Sequence, residues 1–292
     1  MSNKKKIVIT TDSNSGIFPE EAEQLGVKII PMPFLIEGES YFENVNLTQA
    51  EFYEKLKGNA NVATSQPSPG DLAELWAELL KTYDEIVHLP MSSGLSQSCA
   101  TAMILAKDVG GKVFVVDNKR ISVTLKESVF DALALIEKGL SGKEIKAKLE
   151  ETAADSSIYI ALDTMKYLKK GGRVTPAAAA IATVLKIRPV FQIQGDKLDK
   201  FALCRTPNKA KECMKEAMIK DLSTRFKAFV DAGEMTLSVA HTDSEKEAAL
   251  FAEELKKLFP ALQFRFCDPL SLSVSCHIGP GALAIACART LR

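Results

Sequence analysis

The sequence has 292 residues, of which 46% are apolar and 25% are charged, a composition typical of globular proteins. Lys and Arg together number 37, as do Asp and Glu, so the chain lacks the basic field typical of nucleic-acid-binding proteins. No apolar run reaches the ~20 residues of a membrane span, and the N-terminus does not resemble an export signal. The six cysteines are scattered without a C-x-x-C pair, so we expect reduced thiols in a cytoplasmic protein with no metal site.

Strands and helices alternate through the first half of the chain. We predict strands at 6–10, 84–89 and 112–117, a Pro-interrupted strand at 27–34, and helices that begin near Pro19, Thr48, Ser68, Leu95, Val123 and Ser141. Thr48-x-x-Glu51 and Ser141-x-x-Glu144 are capping boxes, which mark two of these helix starts. This alternation indicates βαβ units and a mostly parallel open sheet with flanking helices.

The regular alternation of predicted strands and helices ends after about residue 153. We predict strands at 157–161, 236–241 and 263–267, a hairpin at 189–194 and 197–203, a final apolar strand, and helices at 163–170, 207–230 and 244–258. A hairpin followed by further helices and strands is typical of a mixed sheet. The sequence therefore predicts two domains, an N-terminal α/β domain over 1–153 and a C-terminal mixed α/β domain over 154–292.

A hydroxyl-rich loop containing Ser92, Ser93 and Gly94 follows the predicted strand at 84–89. If a helix starts directly after it, near Leu95, free backbone N–H groups and the helix dipole favour an anionic ligand there. A serine-rich helix cap with no ligand explains the same residues. The residues of this loop alone do not decide between the anion site and the helix cap.

Two further polar clusters stand at predicted element boundaries. Thr64 and Ser65 lie in a Pro-rich loop, and His277 precedes Gly279 in a glycine-rich turn, whereas His88 and His241 lie within or at the end of strands and are interpreted as structural. A serine and a histidine suggest a serine esterase. Against it, the Ser93 loop lacks the Gly-x-Ser-x-Gly elbow. The chain also lacks a phosphate-binding Gly-x4-Gly-Lys-Ser/Thr loop, which disfavours a kinase that binds its own nucleotide.

The order of six short segments resembles that of the DegV family, the fatty-acid-binding (FakB-like) subunits of bacterial fatty acid kinase. The segments are Ile9–Ser13 (ITTDS), Thr64–Pro69 (TSQPSP), Ser92–Ser96 (SSGLS), Leu168–Arg173 (LKKGGR), Arg205–Ala210 (RTPNKA) and His277–Ala282 (HIGPGA). They span nearly the whole chain, so the resemblance is specific although each segment is short.

The resemblance implies a two-domain α/β protein that holds a long-chain fatty acid between its domains and performs no catalysis itself. A separate ATP-binding kinase subunit would phosphorylate the exposed carboxylate to an acyl phosphate. Carried over by position, Thr64 and Ser93 would hold the carboxylate. Ser65, Gly94, His277 and Gly279 would support them, and Arg173 and Arg205 would face phosphate or the partner. The family implies no cofactor, nucleic acid or integral membrane association.

The sequence departs from the family pattern at two places. Asn44 and Asn46 replace acidic residues, which is expected to weaken a loop contact, and Ser96–Cys99 replaces a segment that often carries an aromatic residue, which bears on pocket shape. The alanine-rich stretch 177–185 fits either a tunnel lining or tight helix packing. The alternatives to the carrier are the esterase, which a fluorophosphonate would label at Ser93, and a lipid or small-molecule sensor, which would bind ligand without supporting acyl phosphate formation.

Overall fold

The computed structural model describes residues 5–168, 175–176, 187–195 and 197–292. Three features singled out in the sequence lie outside these residues: the Gly171–Gly172 helix end, Arg173 and the alanine-rich stretch 177–185. The described strands are β1 (Ile7–Asp12), β2 (Lys28–Ile30), β3 (Pro33–Ile36), β4 (Glu39–Phe42), β5 (Val62–Thr64), β6 (Glu85–Leu89), β7 (Val113–Val115), β8 (Ser156–Ala161), β9 (Arg188–Ile193), β10 (Asp199–Cys204), β11 (Met235–His241), β12 (Gln263–Pro269) and β13 (Leu283–Arg289).

The described α-helices number ten, of which four begin after a residue whose side chain caps them. They are α1 (Pro19–Leu25), α2 (Gln49–Lys57), α3 (Pro69–Leu79), α4 (Ser98–Leu105), α5 (Val123–Glu137), α6 (Gly142–Glu151), α7 (Pro207–Ser223), α8 (Lys227–Asp231), α9 (Glu245–Leu258) and α10 (Leu272–Ile278). Both predicted capping boxes are formed, with Glu51 and Glu144 each bonding back to the cap residue. Ser68 caps α3, whose first residue is Pro69.

The predicted mixed α/β class is confirmed. β2, β1, β6 and β7 form a fully parallel sheet, in that order. A second, six-stranded sheet has the order β10-β9-β8-β13-β11-β12, in which only β11 and β12 are parallel. The predicted hairpin is the antiparallel pair β9 and β10.

The apolar run at 27–34 is not one strand, as predicted, but two strands in different sheets. β2 joins the parallel sheet, whereas β3 pairs with β4 and β5 in a separate antiparallel sheet. The prolines at 31 and 33 explain the break, because proline cannot donate to a sheet ladder. Two segments for which the sequence analysis gives no strand, around residues 41 and 62, supply the other two strands. In the turn after β4, Asn46 accepts a hydrogen bond from the Phe42 amide, and Asn44 adopts a left-handed conformation that asparagine tolerates.

Helix α5 connects the two large sheets. It contacts β1 and β6 of the parallel sheet and β11 and β13 of the mixed one, and ten of its fifteen residues are buried. Its Lys126 bonds at 2.8 Å both to Glu21 and to Asp268, from the two halves of the chain. The parallel sheet is built entirely from residues before 153 and the six-stranded sheet from residues after 154. The boundary between two domains stays a prediction, because one apolar core includes residues from both halves.

Candidate functional site

A cavity of about 480 Å³ lies within the shared core. Strands of the six-stranded sheet, the start of α5, the loop after β6, the end of β5 and helix α10 supply its walls. The apolar lining residues are Met32, Met91, Leu95, Ile121, Val123, Ile158, Ile160, Leu168, Ile193, Leu198, Ala240, Leu270, Val274, Ile278, Ala284 and Ala286. The polar ones are Thr64, Ser65, Gln66, Ser96, Gln97, Thr101, Ser122, Ser273 and His277. Such an apolar cavity with a few polar groups is typical of small-molecule sites.

Thr64 and His277 form the central polar contact of this cavity. Thr64 Oγ1 and His277 Nε2 are 2.9 Å apart, although the two residues are 213 positions apart in the chain. Thr64 ends β5, and His277 lies in the last turn of α10, which packs against β3 and β5. Both side chains are half-buried. The arrangement can present a hydroxyl and an imidazole to one polar head group while the rest of a ligand contacts apolar wall.

The residue after α10 has to be glycine for steric reasons. Gly279 has φ 76°, and a Cβ atom built there would lie 2.2 Å from Cδ2 of Tyr167. Its carbonyl accepts a hydrogen bond of 2.6 Å from the hydroxyl of Thr242. Gly279 therefore fixes the end of the helix that carries His277. The sequence predicted His277 in a turn, and the structure corrects this by placing it within a helix.

The serine-rich loop after β6 does not open a helix, contrary to the sequence-based expectation. Helix α4 begins only at Ser98, and the backbone N–H groups from Ser92 to Ser96 all donate within the protein. Their acceptors are the Arg120 carbonyl, the Asp117 carboxylate, the Ser92 hydroxyl and, twice, the Ser92 carbonyl. These amides are thus unavailable to an anion, so any ligand here is held by side chains.

Ser93 is bonded to two charged side chains from the loop after β7. Lys119 Nζ donates to the Ser93 hydroxyl, and the Ser93 amide donates to Asp117 Oδ1 at 3.3 Å. Lys119 also pairs with Asp117 at 3.1 Å. Burial disfavours the ionised form of Asp117, but hydrogen bonds from Ser93 and Lys119 outweigh it and hold the pKa of this carboxyl below its usual value.

The predicted site residues are therefore only partly brought together. Thr64, Ser65 and His277 line the cavity, whereas Ser93 and Gly94 are not among the described residues of its wall. Arg205 is exposed just after β10 and is not among the lining residues either. Ser96 and Gln97 line the cavity, and Cys99 is fully buried in the core beside it.

The geometry does not assemble an esterase. In the described part of the chain, the Ser93 hydroxyl contacts Lys119 and Asp117, while Nε2 of His277 contacts Thr64. A nucleophilic serine needs its base within hydrogen-bond reach. Ser93 and His277 do not form such a pair.

Sequence reasoning missed three side chains near the site. Asp117 and Lys119 follow β7 at the same edge of the parallel sheet as the Ser93 loop, and polar residues at the carboxyl ends of parallel strands are the signal that could have found them. Ser122, which lines the cavity, has φ 55°. A serine with φ 55° and ψ −138°, outside the left-handed helical region, cannot be inferred from sequence, because such strain persists only where the surrounding structure imposes it.

No cluster of three or more His, Cys, Asp or Glu side chains is placed to hold a metal ion within the part of the chain that the structure describes. No helix among the described residues combines the length and apolar character needed to cross a membrane.

The chain is similar to known proteins over nearly its whole length. A family model described as an uncharacterised protein family, DegV, matches residues 6–290. Protein DegV of Bacillus subtilis is 30% identical over 282 residues, covering 96% of this chain and 98% of its own. A DegV domain-containing protein of Deinococcus radiodurans is 30% identical over 283 residues, covering 96% and 97% of the two chains.

Solved structures share the whole fold. The crystal structure of DegV from Bacillus subtilis, described as a fatty acid binding protein, superposes with a TM-score of 0.86 at 30% identity, covering 98% of this chain and 100% of that one. A DegV family protein from Thermus thermophilus, described by its fatty acid binding, superposes with a TM-score of 0.86 at 26% identity, covering 97% and 99%.

Proposed function

Because the chain belongs to the DegV family, we propose that it is a cytoplasmic fatty-acid-binding protein that presents its ligand to a kinase. A long-chain fatty acid lies in the apolar cavity, and a separate ATP-dependent kinase subunit phosphorylates its carboxylate to an acyl phosphate. The observation that carries the proposal is the apolar cavity of about 480 Å³ with the Thr64–His277 contact in its wall. Two DegV relatives of the same fold are described as fatty acid binding.

The tail supplies most of the affinity in this proposal. Each buried methylene is worth ~0.8 kcal/mol, so a long acyl chain contributes on the order of 10 kcal/mol before association costs. A hydrogen bond to the ionised head contributes roughly 1.5–3 kcal/mol. The apolar wall therefore determines whether the acid binds, and the polar contact determines which way it points.

Thr64 and His277 suit a carboxylate that has to react. When His277 donates from Nε2 to the Thr64 oxygen, the threonine proton is free to be donated to the ligand. A neutral hydroxyl holds the carboxylate without an ion pair and so leaves its oxygens nucleophilic toward phosphate. We assign Thr64 as the first head-group contact and His277 as the group that orients its hydroxyl.

The remaining site residues take supporting roles in the proposal. Ser93 is the second carboxylate contact, which requires its hydroxyl to turn from Asp117 toward the ligand. Ser65 and Gly94 shape the two loops at the head group, and Gly279 fixes the helix end at His277. Arg205, exposed after β10, faces the kinase subunit. The resemblance to the family implies the same role for Arg173.

Removing the Thr64 hydroxyl tests the head-group assignment. Thr64→Val is expected to lower fatty acid affinity about tenfold to a hundredfold, the worth of a hydrogen bond to a charged group, and to impair acyl phosphate formation with the kinase subunit and ATP. Ser93→Ala is expected to impair acyl phosphate formation as well. Titration with a fluorescent fatty acid and trapping of the acyl phosphate with hydroxylamine measure the two effects.

Thr224→Val is the matched control for these variants. The Thr224 hydroxyl bonds to the Lys220 carbonyl at the exposed end of α7, so binding and turnover should equal those of the wild type. Full turnover by both the Thr64 and the Ser93 variants would remove these residues from the mechanism. Loss with Thr64→Val but not with Ser93→Ala would restrict the head-group site to the Thr64–His277 pair.

A further inference from the structure

The cavity wall formed by the six-stranded sheet is uneven. β8 presents Ile158 and Ile160 to the cavity, whereas β13 presents Ala284 and Ala286 and the neighbouring β11 presents Ala240. The strand register aligns these residues in rows: Ala240 pairs with Ala284, Ala284 with Ile160, and Ala286 with Ile158. The cavity wall therefore has a shallow groove along β13, which we call the trough. Its base consists of the methyl groups of Ala240, Ala284 and Ala286, and the isoleucines of β8 lie along one side.

The alanines are not a requirement of the strand itself. Side chains alternate between the two faces of a strand, and the opposite face of β13 carries Leu283, Ile285 and Cys287, all buried. Large side chains thus fit on this strand where it packs against helix α7. Small ones occur on the face that borders the cavity, where a larger side chain would occupy ligand space.

The trough belongs to the buried part of the cavity wall. Ala284 and Ala286 are each 1% exposed, whereas Ser65 and Gln97, which line the polar end, are exposed to solvent. β13 is also fixed in place, because it is hydrogen-bonded to β8 on one side and β11 on the other. This wall cannot move aside to admit a longer ligand.

We propose that Ala284 and Ala286 set the longest acyl chain that the cavity accepts. The proposal rests on the proposed function, because it assumes a fatty acid with its head at Thr64 and its tail directed toward β13. The tail end contacts the alanine methyls, and the acid that just reaches them binds best. A longer acid has to leave methylenes in solvent or distort its chain.

Ala286→Leu and Ala284→Leu test the assignment, since each adds three carbons to the wall. In the wild type, affinity for a series of saturated fatty acids should rise about fourfold per methylene up to a limiting length and then level off or fall. Each variant should reach its limit about three carbons earlier, with unchanged affinity for the shorter acids. Displacement of a fluorescent fatty acid by acids of increasing length measures the limit.

Two further variants keep the test decisive. Ala248→Leu places the same added volume at a fully buried alanine of α9, in the core on the other side of the sheet, and should leave the limiting length unchanged. Ile160→Ala removes three carbons from the cavity wall and should move the limit to longer acids, so it tests the trough even if the leucine variants do not fold.

An unchanged limit in the folded leucine variants, or an equal shift in Ala248→Leu, overturns the proposal. If the folded wild type binds none of the acids, the proposed function itself fails, which is a different result from an unmoved limit.

Discussion

Decanoic acid is expected to bind this protein roughly 4,000-fold more weakly than palmitic acid. Palmitic acid has six more methylene groups, and burying each is worth ~0.8 kcal/mol, so the difference is about 5 kcal/mol. The physical reason lies in the composition of the cavity wall, which is mostly Ile, Leu, Val, Met and Ala. Isothermal titration calorimetry of the delipidated protein with the two acids measures the ratio.

Hexadecanol is the control that separates the contribution of the acyl tail to affinity from that of the head group. It keeps the palmitic chain but replaces the carboxylate with a hydroxyl, so it should lose only about tenfold to a hundredfold in affinity. If decanoic acid bound as tightly as palmitic acid, or if hexadecanol bound worse than decanoic acid, the head group would dominate. Either result would contradict a cavity that selects its ligand by apolar burial.

His88→Gln is expected to remove a large part of the acid sensitivity of folding. His88 is 2% exposed on β6, an inner strand of the parallel sheet, where its Nδ1 lies 2.9 Å from the Thr10 hydroxyl. Burial lowers the pKa of this imidazole to about 3. The unfolded chain takes up the proton near pH 6.5, so between these values the unfolded state binds more protons.

The sign of the effect follows from this difference. His88 contributes full stability above pH 6.5, and the free energy of unfolding falls by ~1.4 kcal/mol per pH unit below it, to a total of about 5 kcal/mol near pH 3. Glutamine keeps a hydrogen-bonding group toward Thr10 but does not titrate. The stability of the variant relative to the wild type should therefore rise steadily from pH 6.5 to pH 4.

Urea unfolding at pH 7.5, 6, 5 and 4 measures this change. At pH 7.5 the histidine is neutral in both the folded and the unfolded state. The difference in free energy of unfolding between the two proteins at this pH therefore reports packing and not protonation. Burial raises the pKa of Asp12 to about 6, so its stabilising contribution is lost as the pH rises through that value. Both proteins share Asp12, so it cancels in the comparison. Parallel pH profiles would contradict a neutral, buried His88.

Local sequence signals predicted most of the helices, because caps and helical periodicity are properties of a few neighbouring residues. The Thr48 and Ser141 capping boxes are examples, and both form as predicted. Partners distant in sequence were not predictable in the same way. Nothing in the run 27–34 says that β2 and β3 belong to different sheets, since that depends on pairing with β1 and β5. Helix α10 was missed because its seven residues alternate apolar and polar side chains, a spacing typical of a strand and not of a helix.

In the candidate site, too, contacts between residues distant in sequence could not be predicted from local sequence signals. Resemblance to a family, and not spacing, grouped Thr64 with His277, and the structure places them in contact. The contacts of Ser93 could not be predicted, because they depend on where the loop after β7 lies relative to the loop after β6. Helix α4 starts at Ser98 and not at Leu95, and the backbone amides of the loop before it donate within the protein. The loop therefore does not offer the free amides that the sequence led us to expect for an anionic ligand.

Native mass spectrometry of the protein purified without delipidation tests the central claim most directly. We expect a complex with one bound long-chain fatty acid, which is released on denaturation and identified as a free monocarboxylic acid. The delipidated protein should bind one equivalent of palmitic acid again. A protein that carries no lipid after mild purification and binds no added fatty acid while folded would contradict the account.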